Sequence, residues 1–459
     1  MSNKGMLQIA GGLLLAAVSL TATTAVAGGR PDLVQLGLQQ QRPYASGELL
    51  VQFMPGTRAQ QKLAALKAIG GSRAELVAAS SRRADRKGDL ELVRIPSGVA
   101  MGTALAALTR SSVVEFAEPN WIYQHTATSN DAFYVSNQLF GMYSATSTPA
   151  NVYGSHAADA WAAGHTCNAN TYIGVIDEGM MRTHEDLGAN TWVNPYETAD
   201  GVDNDGNGYV DDFYGWDFAG GDNSTFDGFG DDHGTHVSGT IAGVGGNGIG
   251  VVGVCWTAKL ISGKFLGNRG GTTANAIKAV NYFTDLKTRH GLNIVATNNS
   301  WGGGGFSQGL EDAIVAGGNA NILFVASAGN STVDTDVSPQ YPAGYDSDVI
   351  VSVASITSTG ALSSFSNYGL TTVDIGAPGS SINSTVPKRT RGGVGSGYAA
   401  YSGTSMAAPH VTGAAALYAS THPGATALQI KQAILASATP TTSLAGKTVT
   451  GGRLNVGGF

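Results

Sequence analysis

Short apolar runs alternate with helical stretches and Gly-rich polar breaks over most of the chain. From about residue 130, runs at 173–176, 260–265, 294–297, 322–326 and 349–353 read as strands, and 237–243, 273–289, 310–317 and 406–420 carry helical spacing. Strand and helix in repeated alternation predict an α/β fold, a parallel sheet with helices on both faces. Ligands of such sheets bind beyond the carboxyl ends of the strands.

The earlier pattern differs. Residues 46–123 predict a small separate α+β unit: a strand at 48–53 ending at Pro55-Gly56, an amphipathic helix at 58–69 closed by Gly70-Gly71, a strand at 90–95, a helix at 101–109 and a strand at 113–117 before Pro119. That order suggests a split βαβ arrangement, with Arg82, Arg83, Arg86 and Lys87 in a solvated loop. Ahead of it, Lys4, the apolar stretch 7–20 and Ala25-Val26-Ala27 predict a secretory signal peptide over 1–27. A membrane anchor fits less well, because the run is shorter than the ~20 residues that span a bilayer and is broken by Ser19, Thr21, Thr23 and Thr24. No other segment has the length and apolarity to span, so no membrane association is expected.

Composition narrows the function classes. In 459 residues, 65 are Gly and only 13% are charged, which excludes a coiled coil, a disordered acidic tail and a charged nucleic-acid binder. The net charge of −7 is uneven: residues 28–124 hold 12 Lys/Arg and 8 Asp/Glu, whereas 125–459 hold 13 and 25. Fifteen of those acids lie in 177–232 with a single base, Arg182, a density that calls for solvation or a bound cation. Export would place Cys167 and Cys255 in an oxidising compartment. Each stands a few residues before an apolar run; if those runs are neighbouring parallel strands, a disulfide is geometrically allowed, and two buried free thiols are the alternative.

Three segments carry candidate chemistry. Asp177 ends the run Tyr172-Ile173-Gly174-Val175-Ile176, His233 opens His233-Gly234-Thr235-His236, and Ser405 sits in Gly403-Thr404-Ser405-Met406-Ala407-Ala408-Pro409-His410 before an apolar helix. A carboxylate at a strand end, an imidazole placed for proton exchange and a hydroxyl among free N–H groups make a nucleophilic set. Singly, they read as a cap, an ordinary histidine and an N-cap serine.

In the order Asp, His, Ser these strings resemble the subtilisin-like serine peptidases (subtilases), whose triad runs in that order. The resemblance covers nearly the whole chain. It implies a doubly wound sheet of about seven parallel strands and a triad in which Ser405 is nucleophile, His233 base and Asp177 its orienting partner. Val325-Ala326-Ser327-Ala328-Gly329-Asn330 resembles the segment supplying the oxyanion-hole amide, here Asn330. Ser300, Trp301 and Gly302 resemble one wall of the substrate groove, with Trp301 where the family usually has a smaller aliphatic residue; Ser327, Ala328 and Gly329 would be the other wall, with Gln340 near the pocket floor. Residues 48–123 resemble the inhibitor-type propeptide, down to Phe116-Ala117-Glu118-Pro119-Asn120, which implies a propeptide over 28–124, a catalytic domain over 125–459 and a processing bond between Tyr123 and Tyr134. Gly451-Gly452-Arg453-Leu454-Asn455-Val456 resembles the usual end of that domain, so no C-terminal binding module is expected.

Asp203-Asn204-Asp205-Gly206-Asn207-Gly208-Tyr209-Val210-Asp211-Asp212 places oxygen ligands at alternate positions with Gly at the sixth, as in the early half of a calcium loop; Tyr214 stands where an EF-hand has Glu. Asp203, Asp205, Asn207, the Tyr209 carbonyl and Asp211 or Asp212 are the expected ligands of a structural Ca2+, and a solvated acidic turn is the alternative. Gly248-Ile249-Gly250-Val251-Val252-Gly253 fits a dinucleotide fingerprint but precedes a strand, and His184-Glu185 lacks the second His of a zinc-protease motif. The expectation is a secreted, monomeric, calcium-stabilised endopeptidase acting on protein and peptide substrates, with its own propeptide as folding aid and inhibitor. The competing reading is an inactive relative that binds peptide and calcium.

Overall fold

The computed structural model describes residues 29–39, 44–82, 87–121, 127–267 and 269–459. The expected signal peptide, Arg83 and Arg86, and residues 123–126 of the span expected to hold the processing bond lie outside them. The chain divides into two compact units between residues 124 and 125.

In the first unit the helix Pro31–Gln39 precedes an antiparallel sheet of β1 (Tyr44–Phe53), β2 (Ser72–Ala78), β3 (Leu90–Arg94) and β4 (Val114–Trp121), ordered β2-β3-β1-β4. Leu49, Val51, Phe53 and Val93 pack against Leu66 of the helix Ala59–Lys67 and Ala104, Leu105 and Leu108 of Met101–Thr109. Strand β4 continues through Pro119, which pairs with Leu49. An edge strand tolerates a residue that has no N–H to donate.

The second unit is built on β5 (Tyr172–Asp177), β6 (Gly215–Asp217), β7 (Lys259–Lys264), β8 (Ile294–Asn299), β9 (Leu323–Ser327), β10 (Ile350–Ile356) and β11 (Ile375–Pro378). A hairpin of β12 (Ile382–Thr390) and β13 (Gly393–Tyr401) follows, and β14 (Thr439–Pro440) and β15 (Gly452–Arg453) return to the main sheet. The order is β14-β15-β11-β10-β9-β8-β5-β7-β6, parallel throughout except at β14. The sheet thus has nine strands where about seven were expected. Three of the nine are short pieces toward the two ends of the sheet, β6 of three residues and β14 and β15 of two, which carry no apolar run of their own.

Side chains alternate across β5, with Ile173 and Val175 in one apolar layer and Ile176 in the other. On the first face lie the helices Asp232–Ala242 and Thr404–Thr421; on the second lie Thr273–His290 and Gln308–Asn319. Thr404–Thr421 is apolar nearly all round and buried along most of its length, as such a helix must be. Strand β5 has β7 on one side and β8 on the other, so the chain reverses its direction across the sheet at Asp177. That crevice is where such sheets bind ligands. Cys167 and Cys255, ahead of the neighbouring strands β5 and β7, are joined by a disulfide. Among the described residues no helix is long and apolar enough to cross a membrane.

Candidate active site

Asp177 is the last residue of β5 and is fully buried; its Oδ1 accepts the N–H of Glu178 at 2.8 Å. His233 lies in the first turn of the helix Asp232–Ala242 with Nδ1 2.9 and 3.1 Å from the two Asp177 carboxylate oxygens. A carboxylate only accepts, so Nδ1 carries the proton and Nε2 is left as the basic nitrogen. Burial opposes the charged imidazole, but the charge and hydrogen bond of Asp177 outweigh it and hold His233 above its ordinary value. Glycine permits this approach: a Cβ on Gly234 would stand 2.1 Å from the Gly179 carbonyl oxygen, and Gly179 itself has φ +121°. The β12–β13 hairpin braces the helix from behind, with Ser384 Oγ donating to the His236 carbonyl and Thr385 Oγ1 to that of Thr235, both at 2.7 Å.

Ser405 is the second residue of Thr404–Thr421, so its N–H belongs to the free group at that helix end. Pro409, four residues on, has no N–H to give the Ser405 carbonyl. Ser300 Oγ donates to that carbonyl instead, at 2.8 Å, and Ser405 Oγ donates in return to the Ser300 carbonyl at 3.1 Å. Asn330 Oδ1 accepts from both the N–H and the hydroxyl of Thr404, at 2.8 and 2.9 Å, which fixes the orientation of the amide. Its Nδ2 and the Ser405 nitrogen each lie 3.6 Å from the point a Cβ on Gly403 would occupy. Two donor nitrogens therefore border one small space at the Gly403 turn.

Ser300, Trp301 and Gly302 leave the carboxyl end of β8, and Ser327, Ala328 and Gly329 that of β9, its neighbour. Trp301 packs edge-on against Phe265 at 4.7 Å between ring centres; Gly302 and Gly303 beside it are exposed, and the Gly303 N–H donates to the Tyr341 carbonyl at 3.3 Å. Gly329 has φ +102° and no room for a side chain, since a Cβ there would meet Asn367 Nδ2 at 2.3 Å. Gln340 is half-buried, its amide donating to the carbonyls of Ser338 and Pro339.

The acidic loop is organised differently from the sequence expectation. Asp203 and Asp205 converge with Glu197, the three offering carboxylate oxygens within 4.8 Å of one another. Glu197 Oε1 accepts the N–H groups of Asn204 and Asp205, and Oε2 that of Asp211. Asp211 turns its carboxylate to the Gly201 N–H and Asn207 its Oδ1 to the Tyr209 N–H. Asp212 is drawn into the core, accepting from Tyr282 Oη at 2.6 Å and Asn194 Nδ2 at 2.7 Å, and burial pushes its carboxyl up to about 7. A buried acid is satisfied by such neutral donors, so Asp212 stands apart from the cluster.

The sequence profile described as the subtilase family matches residues 168–453, more than half of the chain. The chain belongs to the subtilase family. The fervidolysin N-terminal prodomain matches residues 34–120, so this subtilase is a serine protease with a prodomain. It is 32% identical over 392 residues to a thermophilic serine proteinase of Bacillus sp. (strain AK1), covering 85% of this chain and 82% of that one. An extracellular protease of Xanthomonas campestris is 33% identical over 340 residues, 70% of this chain and 55% of its own length. Among solved structures, a protease of Pseudoalteromonas arctica superposes with a TM-score of 0.56 at 25% identity, over 72% of this chain and 98% of its own.

Several residues that shape the subtilase site were passed over in the sequence. Thr404 orients the Asn330 amide, and Pro409 frees the Ser405 carbonyl for Ser300. Both lie inside the Gly403–His410 string, where the signal was present but its purpose was not. Glu197 had none, being one acid among fifteen.

Proposed function

We propose that this subtilase is a secreted endopeptidase in which Ser405 attacks the scissile carbonyl. His233 Nε2 takes the Ser405 proton and returns it to the leaving amine, while Asp177 holds the ring and offsets the charge it gains. Tetrahedral charge develops on the carbonyl oxygen between Asn330 Nδ2 and the Ser405 N–H, so both donors act most strongly in the transition state. An extended peptide would lie along 300–303 and 327–329, where Gly302 and Gly303 are exposed, adding as a strand. The observation that carries the reading is the Asp177–His233 pair at 2.9 Å, at the same sheet end as the Ser405 turn, where the Asn330 Nδ2 and Ser405 nitrogens border one space.

Under this reading residues 28–124 are a propeptide that assists folding, inhibits the enzyme and is removed by it. Secretion draws support from the extracellular relative in Xanthomonas. Glu197, Asp203 and Asp205 are hard oxygen donors in one loop and suit calcium; the ion would supply positive charge that stiffens the loop and would take no part in the reaction. Expression of the full chain as Ser405→Ala is the test. Loss of both casein hydrolysis and removal of the prodomain is expected; removal that persists in the purified variant would reject the reading.

A further inference from the structure

Glu178 follows Asp177 and has no part in the proton path above, yet its side chain turns back onto the triad. Its Oε1 accepts the backbone N–H of His233 at 2.5 Å. That N–H belongs to the first helical turn, whose N-cap residue, Asp231, makes no side-chain capping bond. The Asp231 carboxylate is engaged with Lys264 at 2.7 Å and with the N–H of Asp227. Glu178 thus caps the helix from outside it, where a negative charge is favoured by the helix dipole. Three bonds then close a ring: Glu178 N–H to Asp177 Oδ1, His233 N–H to Glu178 Oε1, and His233 Nδ1–H to Asp177.

We propose that Glu178 is a positioning residue of the proteolytic reaction, pinning the first turn of the His233 helix to the end of β5 so that the imidazole stays against Asp177. The proposal rests on the triad reading given above. A second consequence is electrostatic. Burial, with the charge of Asp177, pushes the Glu178 carboxyl up to about 7, and its ionised form favours the imidazolium of His233. The other charged groups around it are Asp232, bound by the Tyr401 hydroxyl, and, along the adjoining cleft, Asp217, Asp227, Asp231 and Lys264. As pH falls His233 gains its proton first, and at lower pH, through the Glu178 value, the helix loses its charged cap, so both changes lower activity on the acid side.

The test compares kcat, KM and their pH dependence on a chromogenic peptide for the mature enzyme, Glu178→Ala and Glu178→Gln. Glu178→Ala removes cap and charge, and kcat should fall by about tenfold with KM nearly unchanged, the worth of one charge-assisted hydrogen bond. Glu178→Gln keeps an acceptor for the His233 N–H; it should restore most of kcat and move the acid limb to lower pH, because the imidazolium has lost a negative neighbour. Parental kcat in Glu178→Ala would overturn the proposal. So would a Gln variant that loses stability and activity together while its residual activity keeps the parental pH profile, the pattern of a purely structural residue. Ser405→Ala assayed alongside separates the two levels: activity surviving there rejects the triad, whereas a dead Ser405→Ala with indifferent Glu178 variants rejects only the positioning role.

Discussion

Replacing Gly234 by Ala sets helix propensity against site geometry. Gly234 lies inside the helix Asp232–Ala242, where Ala is the better residue by about 1 kcal/mol, so propensity alone predicts a more stable protein with unchanged activity. Geometry predicts the opposite. The added Cβ would stand 2.1 Å from the Gly179 carbonyl oxygen and 3.2 Å from Asp177 Cβ. A close C···O contact needs ~3.3 Å, so the helix end and the 177–179 turn must separate by about 1 Å. His233 is the preceding residue, and that movement stretches its 2.9 Å bond to Asp177 and its bond to Glu178. Misplacement of a catalytic group by about 1 Å costs on the order of 100-fold in rate. The assay is kcat/KM on a chromogenic peptide, with prodomain removal supplied in trans by the parent enzyme and circular dichroism as a check on folding. A folded Gly234→Ala enzyme within threefold of the parent would refute the claim that this contact sets the position of His233.

Three further outcomes are expected. Asn330→Ala should lower kcat by about 10²- to 10³-fold with little change in KM; that magnitude is the one known for an oxyanion-hole asparagine in subtilisin, not worked from these distances, and a tenfold rise in KM at constant kcat would contradict the role. Excess chelator should lower the melting temperature by roughly 5 °C, the effect of removing an ion held at about 100 times its Kd, and should do nothing further to Glu197→Gln; identical chelator responses in the two proteins would dissociate Glu197 from the ion. Cys255→Ser opens a link between residues 88 apart, worth up to about 4–5 kcal/mol by loop-closure entropy, and thermal or denaturant unfolding of the mature enzyme should register most of it.

Much of the site was legible because its residues sit at punctuated places. The run 172–176 is apolar at successive positions and ends in a carboxylate, and the Gly403–His410 string changes abruptly into an apolar helix, so Asp177 and Ser405 fall at element ends on pattern alone. The β12–β13 hairpin that braces the His233 helix was not legible: Gly393–Tyr401 carries three glycines in nine residues and little apolar alternation, so its pairing depends on tertiary contacts such as those of Ser384 and Thr385. Strand β2 of the prodomain escaped for a related reason, being exposed along almost its whole length with no buried face to pattern it. In the acidic loop, alternation of oxygen donors picked out Asp203 and Asp205. It did not choose between Asp211 and Asp212, because whether a carboxylate meets a tyrosine hydroxyl in the core depends on partners such as Tyr282, seventy residues from Asp212 in sequence.

The central claim is that Ser405 is a nucleophile activated by His233 and Asp177. A serine-directed fluorophosphonate followed by intact mass and peptide mapping tests it most directly. One adduct per mature molecule, located on Ser405 and formed far more slowly in His233→Ala, is the predicted result. An adduct on another residue, or labelling of Ser405 at the parental rate in His233→Ala, would contradict it.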